Sequence, residues 1–555
     1  SLFAQATVSG RVTDAETGQS LPGANVVVEG TTFGAAANVT GDYSISSVPS
    51  GTQTVTASVI GYGSGSTTVN VPSSGSVTAN FSLSSEAIEL SGLEVLASRA
   101  DEKTPVAYTN ITKADMEFRL GSQDIPMSLN MTPSVYATQQ GGGAGDARIN
   151  IRGFNQRNIA VMINGVPQND MENGWVYWSN WDGVGDAAHS IQVQRGLSAV
   201  NLAAPSVGGT MNIITDPTAH SRGGKFKQEI GAGGFVKSTL NYNTGLIGGK
   251  MAFSGTLVRK TGDGVIDKTW TDAWAYYFGA SYAMNETNRF ELYAVGAPQR
   301  HGHNLYRQNL GAYDSDFAAS VEGYDASALG SDGQFRDEGE VNGVGFGRTF
   351  NQNWAPVSSS YKGKQYYYMY GAKTVDRYSP DFINERENFF HKPLVNLNHF
   401  LTINNNMRLS SVLYWSGGSG GGTGTYGRIP TMDADGNLGD DDYKFYYGRS
   451  PWVRDWNALI TMNSGSDATV YVDKTALSRD SGQSVGILRN SINRQNTYGL
   501  ISKLNLDMSD ALKLQFGVDW RTAGIEHARE VRDLMGGDFY MDFADDNSPD
   551  GKKVG

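Results

Sequence analysis

ARINIRGFNQRNIAVMINGVPQND (147–170) and SIQVQRGLSAVNLAAPSVGGTMNIITD (190–216) decide how this chain is read. Three short alternating strands stand out, carried by Ile149/Ile151, Val161/Ile163 and Ile191/Val193. Gly, Asn or Asp bounds each of them, as tight turns require. Asn164-Gly165, between Ile163 and Val166, favours a two-residue hairpin, because both central positions of that turn need a positive φ. Two strands end in Arg-Gly, at Arg152-Gly153 and Arg195-Gly196. The stretch closes on Gly208-Gly209-Thr210-Met211-Asn212-Ile213-Ile214-Thr215.

Composition sets the frame for this stretch. The chain has 555 residues, enough for several domains, and 69 of them are Gly, an excess that suits many β-turns. No run of eighteen apolar residues is present, so no transmembrane helix is expected. A membrane barrel needs none, because its lipid face is spread over alternate residues of many strands. There are no cysteines, which excludes disulfides and thiolate metal sites. The net charge of −12 argues against a nucleic-acid partner.

Taken in order, the strands and turns of 148–215 resemble the plug domain of TonB-dependent outer-membrane transporters. That family shows IRG, an I-D/N-G-V turn, I-x-V-x-R-G and a Gly-Gly-x-x-N-I-I-T close. Each piece is weak alone; four in order over roughly seventy residues are hard to obtain by chance. The resemblance implies a plug over 106–217 and a barrel beyond it. It also implies that Arg152 and Arg195 dock the plug on barrel Glu residues, since an Arg fork pairs bidentately with a carboxylate in a polar lumen. The alternative for each arginine is a solvated strand end.

Residues 7–84 read as a small β-sandwich of short strands separated by turn residues. Gly10-Arg11-Val12, Leu21-Pro22-Gly23-Ala24, Thr40-Gly41-Asp42-Tyr43 and Gly61-Tyr62 resemble the carboxypeptidase-regulatory-like domain, a module without a catalytic group. Ala4-Gln5-Ala6 has the small-x-small form of a signal-peptide end, so 1–6 are expected to be its remnant. Residues 85–105 form a linker. Within it Leu93-Glu94-Val95-Leu96-Ala97 is the best match to the family's TonB box, an extended segment captured by strand addition to a partner's sheet edge. A plain interdomain linker is the alternative there.

Beyond Pro217 the strands lengthen. Trp274, Tyr276, Phe278, Ala280, Tyr282 and Met284 alternate with Ala275, Tyr277, Gly279, Ser281 and Ala283. Leu512, Leu514, Phe516, Val518 and Trp520 alternate with Lys513, Gln515, Gly517, Asp519 and Arg521. One apolar face and one polar or small face over about ten residues is the pattern of a transmembrane barrel strand. Residues 298–392 and 417–495 read as long extracellular loops, and the short turns near 285–288, 404–406 and 509–511 as periplasmic. About ten spanning strands are expected in 218–555, against about 22 in the family's barrels. The sequence is therefore expected to hold roughly the first half of the barrel.

Four further groups are candidates for chemistry. Trp175, Tyr177, Trp178 and Trp181 crowd one plug loop, and either stack on a ligand or pack against the barrel wall. His301-Gly302-His303 has metal-ligand residue types, and so does the acidic loop that carries Asp433 and Asp435. No metal site or cofactor is assigned to either; a solvated acidic loop is the alternative for Asp433 and Asp435. Glycines 141–145 precede a strand and not a helix, so they form no phosphate cradle. No nucleophile–base pair supports an enzyme.

The fold class expected is mainly β: an N-terminal sandwich, a small α/β plug and an antiparallel barrel. The function implied by the resemblance is TonB-dependent uptake of a scarce siderophore, cobalamin, peptide or glycan. Its partners would be TonB with its inner-membrane energising complex, the small ligand and outer-membrane lipid. A non-transporting receptor or adhesion scaffold is the rival. The plug close departs from the K-D-A-S-A-T-A-I-Y-G-x-R-G-A-N-G-V text of the glycan-importing subgroup, which argues against a lipoprotein lid.

Overall fold

The computed structural model describes residues 6–15, 18–59, 62–84, 106–141, 145–196, 206–305, 310–324, 347–362, 365–369, 372–432, 453–472, 475–509, 512–544 and 547–555. The expected signal-peptide end and the coupling segment Leu93–Ala97 lie outside these residues. Asp433 lies outside them, and Asp435 lies outside them too.

Alternating Val, Ile and Ala along Ala6–Asp14, Asn25–Val28, Asp42–Val48 and Gly51–Ser58 build the N-terminal domain. One sheet runs Asp42–Val48, Ala6–Asp14, Gly75–Thr78, with Phe81–Leu83 also paired to Ala6–Asp14. The other runs Gly34–Ala36, Asn25–Val28, Gly51–Ser58, Gly65–Val71. Val8, Val12, Val26, Val55 and Ala57 are wholly buried between them, as in a β-sandwich. Gly10 is required by close approach: a Cβ there would lie 1.9 Å from the Ala79 carbonyl oxygen.

The plug is built on a mixed five-stranded sheet in the order Val166–Pro167, Ile159–Ile163, Gly209–Ile214, Ser190–Arg195, Ala107–Thr112. The Ile-Ile-Thr close runs parallel to Ile159–Ile163 and antiparallel to Ser190–Arg195, so the sequence motifs are neighbours in one sheet. Asn164 and Gly165 take φ of 49° and 79° and close the expected hairpin between Ile163 and Val166. Arg152-Gly153 is itself a hairpin turn, with φ of 53° and 81° between Ile151 and Phe154. The two Arg-Gly pairs therefore occupy different positions: one forms a turn, the other ends a strand. The helix Lys113–Arg119 starts at a capping box between Thr112 and Asp115.

The barrel wall is an 11-stranded sheet. Two pairs of its segments continue one another across Ala297-Pro298 and Lys392-Pro393, where proline removes a ladder donor. Nine wall strands result among the described residues, joined as a meander. Along Thr271–Asn285 burial alternates strictly: Trp274, Phe278 and Tyr282 point outward and exposed, and Ala273, Ala275, Tyr277 and Ser281 are buried. The same inversion repeats in Leu240, Phe253, Leu257, Leu413 and Trp520, all exposed, against Lys237, Lys260, Glu291, Asn396 and Asn398, all buried. A soluble protein hides its large apolar side chains; this wall displays them and hides its charges, as a barrel around a polar filling does.

The loop expectation fails in part. Met407–Gly427 is one strand of 21 residues, so the Gly-rich run from Gly417 to Gly427 is wall and not loop. It pairs in register with Gly486–Ser509 from Gly417↔Asn496 to Gly427↔Gly486. Residues Gln299–Gly302 and Glu387–His391 are likewise wall. Glycine gives no hydrophobic alternation to read, yet crowding demands it here: a Cβ on Gly421 would meet the Ser491 carbonyl oxygen at 2.0 Å. Among the described residues of these stretches, Ala355, Ile383, Ile429, Trp456, Leu459 and Val470 share one buried cluster with Leu488 of the wall.

Candidate functional site: the seam between plug and barrel

The plug folds around an apolar core in which Ile149, Ile159, Ile191, Val193 and Met211 are wholly buried. Tyr277, Tyr293, Val295, Leu394, Tyr414 and Ile501 of the wall join the same cluster. Around that contact the seam is ionic. Lys237 reaches Asp186 at 3.0 Å, and Lys227 approaches it at 3.9 Å. Lys260 holds both oxygens of Asp182 at 3.0 Å. Lys225 holds Glu117 of the first helix at 2.8 Å. His303 lies 2.8 Å from Asp146, and His527 2.8 Å from Glu172.

Every plug–barrel ion pair among the described residues thus has its acid on the plug and its base on the wall. Local structure explains the placement. Trp178–Trp181 forms a 3-10 turn and Val184–Ala187 a single helical turn, which bring Asp182 and Asp186 to the plug surface. Between them Gly183, at φ 82°, lets the backbone lie on the wall: a Cβ there would stand 2.6 Å from the Ala275 Cβ. Lys237 and Lys260 are only 3% exposed. Burial pushes the Asp186 carboxyl up, and the neighbouring Lys237 pulls it back. The pair is held in a dry site where the loss of either partner would strand a charge.

Asp124 sets the loop before Arg148. Fully buried, its carboxylate accepts the backbone N–H of Gly145 at 2.9 Å and of Ala147 at 3.0 Å. Burial pushes its carboxyl up to about 6. Those two bonds flank Asp146 and aim it at the wall.

The two arginines nominated from sequence lie close together on the plug, Arg152 against Gly196 and Arg195 on plug carbonyls. Gly196 leaves room for the Arg152 fork: a Cβ on Gly196 would be 2.4 Å from Arg152 Nη1. Arg195 donates to the carbonyls of Pro133 at 3.3 Å and Tyr108 at 3.5 Å. Among the described residues neither arginine meets a carboxylate. The four aromatics divide. Trp178 and Trp181 are 2% exposed in the plug core, and Trp178 Nε1 donates to Gln156 Oε1 at 3.1 Å. The Arg148 and Arg157 guanidiniums both lie over the Trp175 ring, 4.9 and 5.0 Å from its centre. Tyr177 is 47% exposed.

The metal-ligand residue types divide as well. His301 and His303 come together with Asp146, a residue that sequence reasoning did not nominate. Asp433 and Asp435 both fall outside the described residues. Reasoning also missed the wall lysines. Their signal was faint: lysine at inward positions of strands whose outward positions are apolar.

Comparison with known proteins identifies two domains. Residues 8–95 match the family model of the CarboxypepD_reg-like domain, and residues 100–210 that of the TonB-dependent receptor plug domain. The vitamin B12 transporter BtuB of Vibrio vulnificus (strain CMCP6) is 25% identical over 166 residues, which are 30% of this chain and 26% of that protein. Among solved structures, the ferric citrate transporter FecA in its unliganded form is 13% identical with a TM-score of 0.45, covering 78% of this chain and 50% of that one. The ferric yersiniabactin uptake receptor FyuA from Yersinia pestis is 12% identical with a TM-score of 0.41, covering 78% and 62%. The chain thus spans 50% and 62% of the length of these two solved chains, and its match spans about a quarter of the curated relative.

Proposed function

We propose, from the premise that this chain carries a TonB-dependent receptor plug domain inside a β-barrel wall, that it acts in energised uptake of a scarce ligand across an outer membrane. The observation that carries the reading is the seam. A plug with an extensive apolar core is seated in the wall mainly through ion pairs and apolar contacts. Such a body can be pulled aside as a unit without first losing its fold. The outward apolar belt is what lipid would cover.

In this reading the N-terminal sandwich is periplasmic and the long loops face outward. Leu93–Ala97 is captured by TonB through strand addition, so backbone hydrogen bonds supply the grip. Force passes to the strand Ala107–Thr112 at the edge of the plug sheet. Tyr177 and the exposed edge of Trp175 are the aromatics left to meet a ligand; siderophore, cobalamin, peptide and glycan all fit such a surface. Arg152 and Arg195 are proposed to meet wall carboxylates beyond the described contacts. No covalent step is needed. The relatives named above are transporters and receptors, not enzymes.

The test is capture of the full-length protein by the periplasmic domain of TonB, with and without Leu93–Ala97, and mass spectrometry of any co-purified small molecule. Capture that requires the segment supports energised uptake, and the bound molecule names the ligand class. Equal capture without the segment, or none with ligand present, overturns it in favour of a passive receptor or scaffold.

A further inference from the structure

We propose that Asp146, His301 and His303 form a divalent transition-metal site that fastens the plug to the barrel wall. Asp146 comes from the plug loop; the histidines come from the wall strand Gln299–Gly302 and the residue after it. Their spacing of two puts both imidazoles on the inner face of one strand. His301 Nε2 and His303 Nε2 are 2.6 Å apart, and Asp146 Oδ2 lies 2.8 Å from His303 Nε2 and 3.7 Å from His301 Nε2. Three ligand atoms around a zinc-like ion sit roughly 3.3 Å from one another when each bond is about 2.0–2.1 Å. The triangle present needs only small side-chain rotations to reach that spacing.

The surroundings prepare the site for a cation. His301 Nδ1 lies 2.6 Å from Gln299 Oε1, and the Gln299 amide nitrogen is spent on Asn388 Oδ1 at 2.7 Å. The oxygen therefore faces the ring, Nδ1 carries the proton, and the Nε2 lone pair points into the triangle. That is the tautomer a metal ligand needs, set by the kind of outer hydrogen bond that orients ligating histidines. Among the described residues the buried Asp146 Oδ2 accepts no hydrogen bond of proper geometry despite its closeness to His303. The histidines are 2% and 7% exposed, and no lysine or arginine forms an ion pair with Asp146 among the described residues. Two imidazoles and one carboxylate suit a first-row divalent ion, with a water as fourth ligand on the partly open side of Asp146.

The position gives the ion a mechanical role. The plug loop is already tied at this point by Asn304 N–H to the Gly141 carbonyl at 3.0 Å. An ion bound across the seam adds the strongest single link there, and any displacement of the loop must break it. Loss of the ion would loosen the plug, and unseating the plug would release the ion.

The test uses full-length protein purified in detergent with a histidine-free tag, stripped with a chelator and titrated with Co²⁺ alone. The expected result is one equivalent bound, with the visible absorption of a four-coordinate site and a raised melting temperature. Asp146→Asn and His303→Gln should each weaken binding at least about tenfold while melting like the stripped parent. No binding at one equivalent would mean a histidine–carboxylate hydrogen-bond cluster without an ion. Binding unchanged in both variants would place the metal elsewhere. Either result overturns the proposal. TonB capture through Leu93–Ala97 is measured separately and stands or falls alone.

Discussion

The inside of the plug and its seam with the wall are held by different forces. Inside, Ile, Val and Met side chains on both faces of one sheet are buried almost completely, with polar groups tied into hydrogen bonds within the plug, such as the Thr215 N–H to Asn164 Oδ1 at 2.9 Å. At the seam a patch of apolar wall residues, Tyr277, Tyr293, Val295, Leu394, Tyr414 and Ile501 among them, makes contact, and around it every plug–barrel ion pair among the described residues sets an acid on the plug against a lysine or histidine on the wall. Apolar burial is cooperative and non-directional, so it makes the plug one body. Ion pairs are discrete and break one at a time. The contrast teaches how a barrel can be closed tightly by a part that is still able to leave.

The sharpest way to break the contrast is to charge the plug interior. Val161→Asp buries a carboxylate at a 1% exposed position, and the cost should exceed about 4 kcal/mol. The plug should become trypsin-sensitive while the barrel still assembles and runs as a heat-modifiable band on gels. Next in size is Asp182→Ala, which strands Lys260 in a dry seam. A loss of about 3–5 kcal/mol is expected in plug seating, read as earlier release of the plug in denaturant. Asp182→Asn with Lys260→Met should recover most of that loss, because no buried charge remains.

Gly196→Ala tests packing within the plug. It adds a Cβ against Arg152 at a φ of 93°, and should cost about 1–3 kcal/mol in chemical denaturation. Smaller again is Lys225→Ala. Its pair with Glu117 is a third to a half exposed, so removal should change seating by less than about 1 kcal/mol. A loss as large as that of Asp182→Ala would show that seam strength does not follow burial. Least of all in stability, and largest in ligand affinity, should be Tyr177→Ala.

What the sequence made legible was whatever is local. Asn164-Gly165 needs no partner to be recognised as a turn, and the Trp274–Met284 alternation declares an outward apolar face by itself. The plug glycines were readable because a missing side chain is itself the signal. The seam was not readable: Asp182 meets Lys260 across 78 residues of chain, and nothing near either residue marks the other. Asp146 escaped notice for the same reason, being far in sequence from His301 and His303. Asp433 and Asp435 drew notice for the opposite reason, since acids close in sequence are easy to see whether or not they share a ligand. The Gly417–Gly427 run misled because a strand without side chains carries no period. The two arginines were marked by their motif, yet the partners observed for Arg195 are backbone carbonyls, which no motif specifies.

The most direct measurement of the central claim uses the lack of cysteines in this sequence. Val258 is 1% exposed and lies under Gly183 of the plug, where a Gly183 Cβ would stand 3.4 Å from it. Val258→Cys in the full-length protein, in its native cell, gives one thiol beneath the seated plug. It should react with a membrane-impermeant maleimide when the cell is energised. Labelling should stop when the proton gradient is collapsed or Leu93–Ala97 is deleted. A thiol that stays unlabelled in energised cells, or is labelled equally in all three conditions, would contradict an energised plug that leaves its seam.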